Sequence, residues 1–237
     1  MNEYKIDIYA DGADAQSMIK QHEEGVVTGF TTNPSLMKKA GVTDYVAFAK
    51  EVVEKIPDAP LSFEVFGDDF ETMEKEAEVI SALGKNVFVK IPCMNTKYES
   101  SAPLIKRLTE KGIKVNVTVI MTEKQAKEMI DAVCPGTEAI ISVFAGRIAD
   151  VGVDPEPIVK NIVEYAKKNS NIKILWASTR EVYNIYQAEK LGCHIITVPA
   201  DVIKKLSGLG KDLTELSHDG IMAFAKDIKS MGFSILG

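Results

Sequence analysis

A lysine inside a strand written for burial is the first residue of this chain whose placement calls for chemistry. From Asn86 to Pro92 the sequence reads Asn-Val-Phe-Val-Lys-Ile-Pro. Val87, Phe88, Val89 and Ile91 are the β-branched and aromatic residues of a strand buried on both faces, and Lys90 sits among them. An ammonium there is costly unless it is paired, reaches water or loses its proton. A lysine held as the free amine is a nucleophile for carbonyl carbons. Pro92 ends the strand and so puts Lys90 near its carboxyl end, where parallel α/β folds build their active sites. The plain alternative is a lysine whose stem packs in the strand while its head reaches water.

The elements that must position this lysine follow from periodicity. Short apolar runs predict strands over 6–10, 27–31, 61–65, 87–91, 115–119, 139–143, 172–176 and 195–199. Between them lie helical patterns over 69–83, 122–133, 155–169 and 179–191; in the first, Phe70, Met73, Ala77 and Ile80 recur at helical spacing. Thr122 with Gln125 is a capping box, and Gly84, Gly112 and Gly192 follow their helices as C-caps. Strands and helices alternate through the chain with no Pro/Gly/Ser linker, which predicts one (β/α)8 barrel domain over about 4–206. A doubly wound open sheet is the alternative, but no Gly-x-Gly-x-x-Gly follows the first strand. An additional helical pattern over 212–229 lies in a tail of about 207–237.

In a barrel the residues at the strands' carboxyl ends form one site. Collected without further assumption, they are Asp11, Thr31, Thr32, Asn33, Glu64, Lys90, Asn116, Thr118, Ser142, Arg147, Ser178 and Arg180. Each has a structural alternative: Asp11 holding the Gly12 turn, Asn33 serving the turn before Pro34, Glu64 as a rim charge, Thr118 as a β-former, Arg147 pairing with Asp150. Together around a buried lysine they form the kit for carbonyl chemistry on a phosphorylated polyol: a carboxylate near an amine, hydroxyls, amides and two arginines.

Composition narrows the classes. With 46% hydrophobic and 26% charged residues in 237, the chain is ordinary for a soluble globular protein. A net charge of −6 argues against general affinity for nucleic acid or anionic membrane, which need a basic face. Small anionic substrates stay open through local arginines. Cys93, Cys134 and Cys193, like His22, His194 and His218, are scattered, so neither a disulfide framework nor a zinc site is indicated, and no metal or other cofactor is expected. No signal peptide or membrane span is visible, and a cytoplasmic setting is expected.

Thr31-Thr32-Asn33-Pro34-Ser35 after the second strand, Val89-Lys90-Ile91-Pro92 at the fourth, and Gly146-Arg147-Ile148 after the sixth resemble the transaldolase family. The branch of small subunits, which includes fructose-6-phosphate aldolases, is the most similar in length. The likeness runs in order through nearly the whole chain. It departs at Ala10-Asp11-Gly12, where relatives have Leu-Asp-Thr or Leu-Asp-Ser, and in the loop 93–101, which is not the usual short Thr-rich form.

The resemblance implies a (β/α)8 barrel and a cofactor-free, class I aldol mechanism with Lys90 as the Schiff-base lysine. It implies Asp11 as acid/base, Glu64 and Thr118 as the pair that positions a water, and Asn33, Asn116 and Ser142, with Thr32 and Ser178 nearby, as the groups around the dihydroxyacetone hydroxyls. Arg147 and Arg180 match the phosphate-binding arginines. Phe144 stands where the aldolase branch has tyrosine, and Glu64 where it has glutamine. The expected activity is transfer of a dihydroxyacetone unit from fructose 6-phosphate or sedoheptulose 7-phosphate to an aldose phosphate. A fructose-6-phosphate aldolase, a transaldolase for a sulfonated or deoxy sugar, and a non-catalytic sugar-phosphate-binding barrel are the alternatives. The resemblance also implies a homo-oligomer, a pentamer or decamer in which the tail packs on a neighbour; the alternative is a tail folded back on its own barrel.

Overall fold

The computed structural model describes residues 4–233, 235 and 236; residues 1–3, 234 and 237, which the expected domain also spans, lie outside the described residues. The chain runs β1 (Asp7–Asp11), α1 (Ala15–Glu23), β2 (Gly29–Thr31), α2 (Pro34–Ala40), α3 (Tyr45–Lys55), β3 (Leu61–Glu64), α4 (Phe70–Ser81), β4 (Val87–Pro92), α5 (Ala102–Glu110) and β5 (Val115–Ile120). It continues through α6 (Glu123–Ala132), β6 (Ala139–Val143), α7 (Ala145–Asp150), α8 (Pro155–Ala166), β7 (Ile172–Trp176), α9 (Tyr183–Lys190), β8 (Ile195–Pro199), α10 (Ala200–Lys205) and α11 (Leu213–Met231). The eight strands pair in parallel in chain order, and β1 closes on β8 with Tyr9 opposite Thr197. The predicted barrel is therefore the fold.

Alternation along the strands divides the molecule into two cores. Residues such as Val89, Ile91, Val115, Val117, Ile141 and Val143 face outward and pack under the helices in the larger core. A smaller apolar cluster of Tyr9, Phe88, Ile140, Leu175, Ala177 and Ile195 fills the barrel's interior. Two residues beyond four of these stand Asp11, Lys90, Ser142 and Thr197, so the same inward face turns polar toward the carboxyl ends of the strands. Gly29 is dictated by this floor: a Cβ there would lie 2.6 Å from the Tyr9 ring.

The strand register aligns Glu64 with Lys90 and Lys90 with Asn116, bringing three polar residues from three strands to one level. The helices obey their capping signals. Asp14, Asn33, Asp44, Asp69 and Thr122 each accept a bond from a first-turn N–H, and the Thr122–Gln125 capping box is complete. Gly112 and Gly192 take left-handed φ values of 76° and 83° after their helices. Gly84 does not share that conformation. Its place is set by packing, since a Cβ would meet Val53 Cγ1 at 2.7 Å. α9 begins at Tyr183, after the predicted start at 179, because 178–182 forms a loop that carries part of the site.

Candidate active site

The carboxyl ends of the strands open into one cavity of about 490 Å³. Of the residues singled out in the sequence, Asp11, Asn33, Glu64, Lys90, Thr118, Ser142, Phe144, Arg147, Ser178 and Arg180 line it. Thr32 and Asn116 do not. Thr32 turns its hydroxyl outward, donating to the Ser62 carbonyl at 3.0 Å. Asn116, level with Lys90, lies fully buried, donating through Nδ2 to Ser62 Oγ at 3.0 Å and accepting from Ser142 Oγ at 2.6 Å. It acts on the cavity through Ser142.

At the base of the cavity Lys90 is 5% exposed. Its ammonium is neither isolated nor in bulk water: Nζ donates to the Thr32 carbonyl at 2.7 Å and pairs with Glu64 Oε2 at 3.2 Å. Burial pushes the Asp11 carboxyl above the usual carboxylate range, opposed by the Lys90 charge and by the Thr31 hydroxyl. Thr31 Oγ1 donates to Asp11 Oδ1 at 2.8 Å and is 2.5 Å from Thr197 Oγ1. Since the Thr31 proton is spent on Asp11, Thr197 is the donor in the second contact. Thr197 in turn sits beneath Thr179, whose hydroxyl donates to the Thr197 carbonyl at 2.7 Å.

Thr118 is fully buried, yet its hydroxyl has no partner among the described residues. It stands at a break in the β5–β6 register, and the next residue, Val119, has φ 61°, an outlier for a β-branched side chain. Such geometry costs on the order of 1–3 kcal/mol; Thr118 faces inward by alternation, and after the break Val119 lines the cavity beside it. Ser178, just beyond β7 and two strands round the barrel from β5, also has positive φ, 62°, and its carbonyl is approached so closely by α7 that a Cβ on Gly146 would lie 1.7 Å from it.

The two arginines differ. The Arg147 guanidinium lies 5.1 Å over the Phe144 ring and has no ion pair among the described residues. Arg180 pairs with Asp150 through Nε and Nη2, so Arg180, and not Arg147, is the partner of Asp150. The Arg180 hydrogen bond holds the Asp150 carboxyl below the usual range.

Sequence reasoning missed Thr197, Ser62 and Thr179 as parts of this site. The available signal was alternation: Thr197 is two residues past the inward Ile195, as Lys90 is two past Phe88. The 93–101 loop does not line the cavity. Its Asn95 accepts from the amides of Lys97 and Glu99, both at 3.0 Å, and Thr96 is tied to Asp68. Cys93, Cys134 and Cys193 are all free thiols. Among the described residues no three His, Cys, Asp or Glu converge as a metal site requires, and no helix is long and apolar enough to cross a membrane.

Comparison with known proteins gives the family. The family model "Transaldolase/Fructose-6-phosphate aldolase" matches residues 8–235. A probable transaldolase of Thermoanaerobacter sp. is 34% identical over 228 residues, covering 96% of this chain and 99% of its own length. A probable transaldolase of Methanococcus maripaludis is 34% identical over 220 residues, covering 92% and 95%. Among solved structures, a crystal structure of KGPDC from Streptococcus mutans superposes with TM-score 0.58 at 12% identity over 84% of this chain and 90% of its own, a likeness of fold.

Proposed function

We propose, from the premise that this chain belongs to the transaldolase/fructose-6-phosphate aldolase family, that it is a transaldolase. On this reading it moves a dihydroxyacetone unit from fructose 6-phosphate or sedoheptulose 7-phosphate to an aldose phosphate through a Schiff base on Lys90. The observation that carries the reading is the buried Lys90 ammonium, paired with Glu64 in the cavity that Asp11, its carboxyl pushed up by burial, also lines.

The steps follow from charge. Lys90 first passes a proton to the Glu64 carboxylate 3.2 Å away, which turns a buried ion pair into a neutral one. The amine adds to the ketose C2 carbonyl, the proton held by Glu64 goes to the departing hydroxyl, and loss of water gives the iminium with Glu64 again a carboxylate. That cation takes over from the ammonium, whose charge opposes the upward push of burial on the Asp11 carboxyl. Asp11 then takes the C4 hydroxyl proton, the C3–C4 bond breaks, and its electron pair flows to the iminium nitrogen. An aldehyde leaves and a neutral enamine remains. The positive and negative charges vanish together, so the burial that raises the Asp11 pKa favours cleavage. The acceptor aldehyde reverses these events, and hydrolysis of the new iminium releases the product ketose.

Thr118, with its unpartnered buried hydroxyl, and Glu64 orient the water for imine formation and hydrolysis. Ser142, Asn33 and Ser178 serve the substrate hydroxyls, with Asn116 and Thr32 supporting from behind. Arg147 and Arg180 take the distal phosphate, a non-reacting group whose binding energy orients the sugar. Phe144 has no hydroxyl with which to hold a hydrolytic water, which favours transfer over release. The chain works as one barrel domain in a homo-oligomer held through α11, in the cytoplasm, with no cofactor.

Borohydride treatment in the presence of fructose 6-phosphate should reduce the imine to a stable adduct located at Lys90 by peptide mass. An unlabelled Lys90 overturns the Schiff-base reading. Following free dihydroxyacetone with and without erythrose 4-phosphate separates transferase from aldolase, because rapid release that ignores the acceptor belongs to an aldolase.

A further inference from the structure

We propose that Asp150 is a specificity-determining residue: by pairing with Arg180 it sets the charge that the anionic end of a substrate meets in this cavity. The inference rests on the reading of the cavity as a sugar-phosphate site and goes beyond the two arginines that the reading names.

Both arginines line the same cavity, and of the two only Arg180 has an ion pair among the described residues. Arg147 lies over the Phe144 ring, a contact that does not neutralise it. Arg180 donates through Nε to Asp150 Oδ1 at 3.2 Å and through Nη2 to Oδ2, a fork-on-carboxylate arrangement at the half-exposed mouth of the cavity. Asp150 closes α7, and Arg147 stands three residues before it on the same helix. The helix that carries the arginine without an ion pair thus also carries the acid that occupies the other, and the Arg147 charge acts on that acid more weakly from a distance.

The Arg180 backbone is fixed independently, with its N–H donating to Asn184 Oδ1 at 2.9 Å. Counting charges, two guanidinium groups and one carboxylate leave a single net positive charge where the two arginines alone would supply two. The Arg180 donors turned away from Asp150 remain for a ligand. A phosphorylated aldehyde must leave in every turnover, so an anion site weakened by one charge trades affinity for release.

Asp150→Asn keeps the shape and one acceptor for Arg180 while removing the charge. KM for fructose 6-phosphate should fall about three- to tenfold and depend more steeply on ionic strength, whereas KM for unphosphorylated fructose should not move. Asp150→Glu, which restores the charge, should bring KM back toward the wild type. With borohydride trapping of the wild type intact, an unchanged or raised KM for fructose 6-phosphate in Asp150→Asn overturns the proposal, since Asp150 then only orders Arg180. If the wild type is not trapped, the functional reading fails by itself. Calorimetric binding of inorganic phosphate then decides the charge claim, tighter binding by Asp150→Asn supporting it and equal or weaker binding overturning it.

Discussion

The site's chemistry lies in two partly buried carboxylates treated differently by one lysine. Glu64 is directly paired with Lys90, while Asp11 feels its charge but keeps a pKa raised by burial. Lys90→Met should abolish turnover and trapping, and it should also leave Glu64 as an uncompensated charge, 14% exposed on the cavity wall. We expect a loss of about 1–3 kcal/mol in denaturant melts, below the full cost of a severed buried pair because the cavity admits water. Most of it should return in Lys90→Met/Glu64→Gln; a double variant no more stable than the single one would show that the pair carries no such cost.

Asp11 has the opposite sign. Its folded pKa lies above the unfolded one, so its contribution to stability is complete below the ordinary carboxyl range and is lost as pH rises through the folded value. Asp11→Asn should therefore cost about 10²–10⁴ in rate and yet melt above the wild type at pH 7, the gap closing below about pH 4. A variant no more stable than the wild type at pH 7 would contradict burial as the dominant cause. Lys90 was legible in the sequence because a charge interrupts an apolar run. Thr197 was not, because a threonine in a strand is the residue β-propensity asks for.

At the scale of elements, the cavity's shape depends on close backbone approaches that no side-chain pattern announces. The β5 bulge at Val119 and the left-handed Ser178 are properties of φ, and both fall on residues that prefer other conformations. The strand positions were readable from composition and length. The bulge was not, since Val-Asn-Val-Thr-Val-Ile reads as one unbroken strand. Gly146 was readable as part of a motif but not as a packing requirement, which appears only where α7 meets the end of β7. There its N–H donates to the Ala177 carbonyl at 3.3 Å and its missing Cβ makes room for the Ser178 carbonyl. Gly146→Ala cannot be absorbed by a side-chain rotation, because the obstacle is backbone. It should push the 178–182 loop and Arg180 outward, lower stability by about 1–3 kcal/mol and raise KM for phosphorylated donors more than it lowers kcat. Normal kinetics together with a normal melting temperature would mean that the loop has slack the geometry denies.

At the scale of the whole molecule, the barrel accounts for the chain up to α10, and the tail beyond it makes no core with it. Every described residue from 207 onward is exposed, so the tail does not fold back on its own barrel. α11 is nonetheless well specified: Asp212 Oδ1 accepts from the amides of Thr214 and Glu215, and Gly232 ends the helix in the left-handed conformation. The sequence shows an amphipathic helix but not its partner, since a stripe of apolar residues reads the same whichever surface covers it. That stripe runs through Ile221, Phe224, Ile228 and Met231, which are 54–70% exposed at spacings of three and four. Covering one such side chain is worth roughly 1.5–3 kcal/mol, so four are worth roughly 6–12, comparable to the cost of association of about 4–15 kcal/mol. One helix seated on one neighbour is therefore marginal. A closed ring in which every copy both gives and receives a helix multiplies the gain, which is why we expect a ring-based oligomer over a loose dimer. Phe224→Glu with Ile228→Lys should release monomers in sedimentation equilibrium at micromolar concentration while the barrel keeps its circular dichroism and stays folded. A wild type that is itself monomeric there would sink the assembly, and an unchanged oligomer in the double variant would move the interface off α11.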